Sequence, residues 1–498
     1  MCKITRNLID DLKASKRRQV KEGQVDNFHR NIRLRCLLTI LILTVCIPLS
    51  LVYVAIVASV SFLIGLPRTR IIPVTDKSKI VMLTGGKMSK SLHFARWFWK
   101  NGYKVVMVET EKYRFVGSRW SRAVTYFEIA TCPRVDSEKY VEDLVRIARK
   151  YDIDYFVPVS SPVSALHDSR VKPKLKELGC HVLHFDLSMT EILDDKHKFC
   201  DYASKLGLQT PTTFCVSSDS MTHDINNELN IKNNNLEIDE DDRYVLKNIE
   251  YDPKHRLDLF KLPCSSQQLE VYLQKIRVDG NAITPKAPWQ VQKFIHGKEY
   301  TCMAVIRDGE IRAITTSESS CSQLNYKHIE IDGITRWVEE FAKKTNITGQ
   351  LCFDFMEENK TGTIYPIECN PRVHSQCVTF LDMPEFGEAI LSDTWNKKTL
   401  VPHSNSKSVF WFYNELFKVL PGSFLGYRKH GEEQNGLLSF IFLLLTGRDA
   451  DIDIDDPLPF FMRNHFQLPY LLMHTFRHAT PWLKLDFCIG KVVELNGD

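Results

Sequence analysis

Residues 79–186 alternate between strand-like and helix-like runs, and this alternation constrains the fold more than any other feature of the chain. Helical spacing is found at 89–100 and 137–151, between apolar runs at 79–84, 104–109, 154–159 and 181–186. Strands separated by helices predict a parallel sheet with right-handed crossovers, and ligands bind such sheets at the carboxyl ends of the strands. We therefore expect an α/β domain over 79–188 whose functional edge carries Gly85-Gly86-Lys87, Glu109 and Ser160-Ser161-Pro162.

The glycine pair after the first strand invites a dinucleotide-binding interpretation, since Glu109 ends the second strand. The sequence GGKMSKS lacks GxGxxG spacing, however, and no GxxxxGK[ST] phosphate loop occurs in the chain. The segment predicts a tight strand-to-helix turn or a substrate contact instead.

An uncharged apolar run, residues 36–67, follows a basic leader, residues 1–35, that has a net charge of +6. About 20 apolar residues are enough to cross a bilayer, so the membrane is a predicted partner. Arg68 and Arg70 make the second flank positive too, which conflicts with a simple span, and Pro48 is able to kink the run. We expect a hairpin or shallow insertion with both ends in the cytosol; a tilted single span is the alternative. The remainder of the chain should then face the cytosol.

Composition excludes other classes of protein. A formal net charge of +4 over 498 residues does not require nucleic acid as a partner. The fourteen cysteines are irregularly spaced and contain no CxxC pair, which is typical of reduced thiols and not of a disulfide framework.

The middle of the chain predicts a second, strand-rich unit. A helix over 190–207 carries Asp194-Asp195-Lys196, and the polar stretch 216–243 predicts a linker or surface loop. A further helix is expected at 334–345, and the predicted strands are 244–247, 289–295, 300–306, 310–316, 351–356 and 363–369.

Two of these strands bring oxygen ligands together. A hairpin through 358–363 places Asp354 beside Glu368 and Asn370, which share one face of their strand because side chains alternate with a period of two. Two carboxylates and an amide oxygen are hard ligands suited to Mg²⁺ that bridges ATP phosphates, and Arg372 lies within reach of a phosphoryl oxygen. A pair of surface strand acids is the alternative interpretation.

Upstream residues favour the nucleotide interpretation. Lys196 and Lys247 are isolated cations placed to meet phosphate, although either alone could be a surface lysine. The segment Gln292-Lys293-Phe294-Ile295 predicts an apolar hinge whose backbone binds adenine, and the Glu299 carboxylate that follows could accept hydrogen bonds from ribose hydroxyls.

In this order and spacing, the motifs resemble the ATP-grasp fold: a parallel-sheet domain, Asp-Lys, a strand lysine, QKFIxGxE, an aspartate and ExNPR. The resemblance implies that Lys196 and Lys247 hold ATP phosphates, with Gln292, Lys293 and Ile295 around the base. It further implies that Glu299 binds the ribose, that Arg372 stabilises the phosphoryl intermediate, and that Asp354, Glu368 and Asn370 ligate Mg²⁺, with Mn²⁺ as the alternative ion. A Gly-rich flap is absent after Lys247, and His255 and Arg256 are the expected substitutes.

A closer resemblance covers nearly the whole chain. The sequences GGKMSK, VPVSSPV, LDDK, VLKNIEYD, ECNPRVHS and the ending DFCIGKVVELNGD are similar to the membrane-anchored ATP-grasp ligases of mycosporine-glycine biosynthesis. The resemblance implies an ATP-grasp domain over 189–395, with a lid at about 244–300. It also implies that glycine is joined to 4-deoxygadusol, with ADP and phosphate as products. Cys352 and Cys369 are then packing residues, because no covalent nucleophile is needed.

The acceptor site is less defined. Its candidate residues are polar and lie near the predicted strand ends: Ser160, Ser161, Ser319, Gln323, Asn325, Tyr326, His374 and Ser375. His374 could act as a base or be purely structural. Two other functions stay open: a ligase for another acid and amine, of the dipeptide or D-alanine type, and a non-enzymatic membrane adaptor with this fold.

An aromatic-rich extension, 396–498, ends the chain. Its apolar run 436–445 is too short to span a bilayer and predicts a core helix, with a membrane-surface contact as the alternative. The acidic run 449–457 predicts a solvated loop and not a calcium site.

Overall fold

The structure is a computed structural model that describes most of the chain, and the statements below concern the described residues. These are residues 29–63, 71–159, 161–162, 164–232, 242–249, 258–319, 325–395, 397–403, 406–419 and 436–494. Six residues named above lie outside them: Arg68, Arg70, Ser160, His255, Arg256 and Gln323.

The first sheet confirms the predicted parallel α/β domain. Its five strands lie in the order β3-β2-β1-β4-β5 and every neighbouring pair is parallel. The strands are β1 (Ile80–Leu83), β2 (Lys104–Thr110), β3 (Tyr126–Ala130), β4 (Tyr155–Val157) and β5 (His181–Val182). The sequence pattern missed β3, a partly exposed edge strand, and overestimated β5, which was expected over 181–186.

Helices α3 (Ser89–Lys100), α4 (Ser137–Tyr151) and α5 (Ala165–Glu177) connect these strands, and the first two have the predicted bounds. Asp136 caps α4 by accepting a hydrogen bond from the Lys139 amide. The turn between β1 and α3 requires glycine at Gly85, where φ is +73° and a Cβ would lie 2.3 Å from the Val159 carbonyl oxygen.

The helix predicted over 190–207 is two helices, α6 (Leu187–Asp194) and α7 (Lys196–Lys205). The break falls at Asp195, whose backbone is extended and whose carboxylate accepts hydrogen bonds from the His197 and Lys198 amides. An aspartate that caps a new helix therefore ends the old one.

The strand-rich middle of the chain forms two sheets. The first, which we call the lid sheet, has the order β6-β9-β7-β8, from β6 (Thr213–Val216), β7 (Tyr244–Asn248), β8 (Phe260–Leu262) and β9 (Trp289–Lys293). It is covered by α8 (Asp219–Lys232) and α9 (Ser266–Val278), and it begins at Thr213, upstream of the predicted lid.

The prediction of a loop over 216–243 was wrong where the structure describes it, because α8 occupies 219–232. A polar contact anchors this helix: the Asn226 side chain donates to the Cys264 carbonyl and accepts from the Cys264 amide. A helix that is anchored by polar contacts needs few apolar side chains, so its sequence shows only weak apolar periodicity. The helix was therefore hard to predict from sequence.

The second middle sheet, which we call the central sheet, is antiparallel with the order β11-β10-β13-β14. Its strands are β10 (Gly297–Arg307), β11 (Glu310–Glu318), β13 (Gly349–Glu358) and β14 (Ile364–Asn370). One face packs on α10 (Asp332–Thr345) through Trp337, Phe341, Phe353 and Phe355. The short strand β12 (Asn325–Tyr326) and helix α11 (Phe386–Leu391) complete this region.

The extension after residue 396 packs against the apolar leader near the opposite end of the chain. Its strands are Val409–Phe410, Arg448–Asp449, Trp482–Asp486 and Lys491–Glu494, and its helices are Phe412–Asn414, Gly436–Thr446, Leu458–Met462 and Leu468–His478, with single π-helical turns at Glu415–Val419 and Arg463–Gln467. Tyr413, Phe460 and Leu468 form an aromatic core with Leu43 and Tyr53 of the apolar leader.

The leader forms two helices, α1 (His29–Val45) and α2 (Ile47–Leu63). Among the described residues, no one helix has the length and apolar character to cross a membrane. The pair passes the same test jointly, on length and composition, with a bend of 40° between its members.

The acidic run 449–457 is not a solvated loop. Asp449, Asp451 and Asp456 are buried. Arg463 pairs with Asp451, and the Arg96 Nε lies 3.0 Å from Asp456 Oδ2. The prediction failed because the partners lie outside the run itself: Arg96 is 360 residues from Asp456, and Arg463 is 12 residues beyond Asp451. Their charges stabilise carboxylates that would otherwise remain in water.

Replacing Arg96 with methionine removes the cation from the buried Asp456 carboxylate, which should cost about 3–5 kcal/mol of unfolding free energy. We expect a clearly lower urea midpoint. The control is Lys205→Met, which breaks an exposed pair with Asp201 and should change the midpoint little. Equal midpoints for the two variants would contradict the structural role of Arg96.

Candidate active site

The hairpin of β13 and β14 positions the predicted carboxylates. Asp354 lies directly opposite Glu368 in the antiparallel register, and Asn370 lies opposite Cys352 on the same face. The antiparallel register confirms the predicted hairpin. It also brings the two carboxylates together, because opposed side chains have Cβ atoms about 5 Å apart. The register shifts after Asp354, near Pro366, where a residue without an amide hydrogen is tolerated at a bulge.

A chain of hydroxyls supports Asp354. Thr301 Oγ1 on β10 donates to Asp354 Oδ1 at 2.9 Å, and its oxygen lies 2.9 Å from Ser319 Oγ. Ser319, an acceptor-site candidate, is therefore two hydrogen bonds from a predicted metal ligand.

Glu368, Asn370 and Arg372 are linked side by side. The Asn370 amide nitrogen donates to Glu368 Oε1 at 3.1 Å, and the Arg372 guanidinium donates to Asn370 Oδ1. Arg372 also forms an ion pair of 2.6 Å with Asp194. The loop after β14 is thereby tied to the carboxyl end of α6.

Three successive residues at the α6–α7 junction have three different roles. Asp194 binds Arg372, Asp195 caps α7, and Lys196 points its ammonium at Glu368 Oε2, 3.7 Å away. Lys196 Nζ also donates to the Ile249 carbonyl at 3.3 Å. The predicted Asp-Lys motif thus reaches both the lid sheet and the central sheet.

Lys247 of the lid sheet interacts electrostatically with Glu368. Its Nζ donates to Gln292 Oε1 at 3.2 Å. Burial lowers the pKa of Lys247, with Glu368 opposing that shift and Lys196 adding to it. These mutual effects place two lysines and a carboxylate in one electrostatic environment.

The predicted hinge is partly engaged in backbone contacts. The Lys293 amide donates to the Thr212 carbonyl and the Phe294 amide to the Arg243 carbonyl. The Lys293 ammonium pairs with Asp242 at 3.2 Å, and Ile295 is buried. Glu299 is exposed at the start of β10, which leaves its carboxylate accessible to a hydroxyl donor.

The residues fit a nucleotide and a hard cation. Gln290 shares a strand face with Gln292 and is fully buried, yet neither of its amide atoms has a hydrogen-bond partner within the part of the chain that the structure describes, so a polar ligand would satisfy it. No group of three His, Cys, Asp or Glu suited to a metal occurs among the described residues; the candidate ligands are two carboxylates and one carboxamide. Asn370 must turn its amide by half a rotation to offer oxygen beside Glu368.

The other acceptor-site candidates divide into two groups. Tyr326 is buried with its ring edge 5.8 Å from the His374 ring, and Ser375 accepts a hydrogen bond from the Cys488 thiol at 3.2 Å. These residues adjoin Arg372 in sequence or in space. Ser161 instead bonds Ser164 at the start of α5, which is a turn contact, and Asn325 lies in β12.

Cys352 and Cys369 are buried, and burial raises the pKa of each thiol well above its ordinary value, in agreement with a packing role. All twelve cysteines in the described part of the chain are free thiols.

Sequence reasoning missed Lys90 of α3, a buried residue whose ammonium donates to the Val373 carbonyl beside Arg372. It also missed Asp194, Gln290 and Thr301. Lys90 is followed by a helical apolar run and has the appearance of a surface lysine, so no local signal reveals it. Asp194 lies two residues before Lys196, which was predicted to bind phosphate, and this proximity is the signal that could have revealed it.

The fold is the ATP-grasp fold that the motifs predicted. The chain is similar to N5-carboxyaminoimidazole synthetase from Staphylococcus aureus in complex with ADP, with a TM-score of 0.51 and 14% identity over 72% of this chain and 87% of that one. At that identity the similarity establishes the fold alone.

Weaker structural matches include an L-amino acid ligase from Bacillus licheniformis, with a TM-score of 0.44 and 14% identity over 61% of this chain and 69% of that one. Phosphoribosylamine–glycine ligase from Thermotoga maritima matches with a TM-score of 0.46 and 16% identity over 65% of this chain and 77% of that one. No family model matches the sequence, and no curated protein matches it significantly.

The placement of Lys90 predicts a pH-dependent stability. Burial, aided by Arg372, lowers the pKa of Lys90 to about 8 from 10.5. Between these two pKa values, Lys90 is protonated in the unfolded chain and neutral in the folded chain. The free energy of unfolding therefore rises with pH over this range. From pH 8 to pH 10 the wild type should gain about 2–3 kcal/mol relative to Lys90→Met, at about 1.4 kcal/mol per pH unit.

Urea unfolding at several pH values measures this difference. Lys205→Met, which removes an exposed ammonium, is the control and should differ from the wild type by the same amount at each pH. If the difference in unfolding free energy between the wild type and Lys90→Met were also independent of pH, the buried placement of Lys90 would be contradicted.

Proposed function

We propose that the chain is an ATP-dependent ligase that forms a C–N bond and releases ADP and phosphate. The observation that carries this proposal is that Lys196, Lys247 and Arg372, from three separate elements, lie around Glu368 and Asn370 of one strand, with Asp354 opposite Glu368 on the next strand. Cations beside a paired-carboxylate site match what phosphoryl transfer needs, namely positioning and charge stabilisation. The ATP-grasp fold supports the same function.

Each residue has a role in this proposal. Lys196 and Lys247 bind the ATP phosphates, Gln292 to Ile295 border the base, and Glu299 binds the ribose. Asp354, Glu368 and Asn370 hold Mg²⁺, or Mn²⁺ in its place, which would neutralise phosphate charge when bound. Arg372, held by Asp194, stabilises the transferring phosphoryl group.

The substrates we propose are 4-deoxygadusol and glycine, on the basis of the sequence resemblance. The enol of a β-diketone is a vinylogous carboxylic acid. The enol loses its proton, and its oxygen attacks the γ-phosphorus while the bond to the bridging oxygen of ADP breaks. The glycine ammonium loses one proton, its nitrogen adds to the activated carbon, the C–O bond to phosphate breaks, and the nitrogen loses a second proton.

The acceptor would bind among Ser319, Tyr326, His374 and Ser375, which adjoin Arg372 or Asp354. His374 accepts a hydrogen bond from the Gln376 amide at Nδ1, which fixes its ring near Tyr326. That bond occupies the Nδ1 lone pair, so His374 would serve as a base for the glycine ammonium once the Gln376 amide releases it. A ligase for another acid and amine would use the same phosphate site.

We also propose that residues 36–67 attach the enzyme to a membrane with the catalytic part in the cytosol. The uncharged apolar run and the basic leader support this placement.

Glu368→Gln should lower ADP formation with ATP, Mg²⁺ and acceptor at least about 100-fold, because it removes a metal ligand and a partner of both lysines. Coupled-enzyme detection of ADP measures the effect, and melting curves check the fold. Glu339→Gln, an exposed site on α10, is the control and should retain full activity. Retained turnover in Glu368→Gln would contradict the metal assignment.

An acceptor panel tests the substrates. The purified chain with ATP and Mg²⁺ should release ADP with glycine and 4-deoxygadusol together, and an ultraviolet-absorbing product should accumulate in equal amount. ADP release only with pairs of amino acids would identify a dipeptide-type ligase instead. Failure of ATP to raise the melting temperature, with no ADP from any pair, would favour the adaptor.

A further inference from the structure

The outward sides of α1 and α2 are strongly apolar. Leu41 and Val45 on α1 and Val52 and Ile56 on α2 are each more than half exposed. Both pairs are spaced four residues apart and so each lies on one side of its helix. Apolar surface of this extent marks an interaction site.

The opposite sides of the same helices are occupied by protein. Leu43 is buried, and the Tyr53 ring stacks on Phe412 at 4.1 Å. Ser50 is buried with its hydroxyl 2.6 Å from the Tyr413 hydroxyl. Lipid therefore has access to the outward sides only.

A third helix continues this surface. On the Gly436–Thr446 helix, Leu438, Phe442 and Leu445 are 62%, 66% and 78% exposed, at i, i+4 and i+7. Phe440 of the same helix points inward, 6.4 Å from the Phe412 ring that stacks on Tyr53. The Phe412 ring thus joins the third helix to α2. This third helix was predicted to be a core helix, but it is buried on one side only.

Basic residues border the surface. Arg30 and Arg33 are exposed at the start of α1, and the Arg33 guanidinium lies 5.9 Å from the Phe476 ring, next to exposed Arg477. Residues 1–35 have a net charge of +6. A second copy of the chain would bring two basic borders together, whereas anionic lipid headgroups complement them.

We propose that the outward sides of α1, α2 and the Gly436–Thr446 helix form one bilayer-binding surface, and that the chain lies in the interface of a single leaflet. Each leader helix is about 25 Å long at 1.5 Å per residue, shorter than the hydrocarbon core of about 30 Å. A helix with one side packed on protein and the other apolar is typical of interfacial binding. This inference deepens the membrane attachment proposed above and is independent of the ligase reaction.

Flotation of the full-length protein with vesicles of phosphatidylcholine and phosphatidylglycerol tests the surface. The double variant Phe442→Glu with Leu445→Glu should reduce the vesicle-bound fraction at least tenfold, with unchanged melting temperature and ADP formation. The matched control is Val271→Glu with Val278→Glu, which adds the same charge at exposed apolar positions of α9 and should float as the wild type does.

Each outcome separates the proposals. Wild-type binding by the Phe442 and Leu445 double variant would overturn the role of the third helix while leaving the leader as the anchor. Failure of the wild type to float would overturn both membrane proposals and leave the ligase proposal untouched. Dimers that form without vesicles and are disrupted by the double variant would assign the surface to a second copy.

A protease experiment tests the single-leaflet placement. An amino-terminal tag should be removed by external protease from sealed microsomes, and protection of the tag would overturn that placement.

Discussion

The antiparallel pairing of β13 with β14 is the constraint on which the candidate site depends. Phe353 and Phe355 are buried against α10, so the residue between them, Asp354, must point to the opposite face, where the register places Glu368. A slip of one residue would move both phenylalanines to the site and the carboxylate into the aromatic core. The free energy of burying those rings, about 1.5–3 kcal/mol for each large side chain, therefore also fixes the geometry of the charged groups. Two adjacent carboxylates repel each other, and Lys196, Lys247 and Arg372 offset that repulsion.

These cations come from three elements that only the tertiary fold brings together, and neighbouring residues hold them in place. Asp194 binds Arg372 while Asp195 begins the helix that carries Lys196. Lys90 binds the carbonyl next to Arg372 from the first sheet domain. The first domain, the lid sheet and the central sheet each contribute a cation or its support. The site thus lies where the three units meet, which is where ligand pockets commonly occur.

The features that sequence predicted are those with local causes. The helices 89–100 and 137–151 and the β13–β14 hairpin follow from periodicity and turn residues, and the hairpin places Asp354 opposite Glu368. The failures have distant causes. The buried Asp456 depends on Arg96, 360 residues away, and α8 is anchored by the contact between Asn226 and Cys264. Neither partner is visible in a local window, so the acidic run was interpreted as a solvated loop and α8 as a linker. Lys90 was missed for the same reason.

The carboxyl-terminal extension connects the candidate site to the apolar helices. At one end, the Cys488 thiol donates to Ser375, and Ser89 donates to the Cys488 carbonyl at the start of α3. Arg463 binds the Phe487 and Cys488 carbonyls and pairs with Asp451, so that turn is held by buried charge. At the other end, Tyr413 and Phe412 pack on α2. Because Cys488 and Phe487 are adjacent in sequence and pack into two neighbouring cores, one beside the site and one beside α2, packing within the extension sets the orientation of the site relative to the apolar surface.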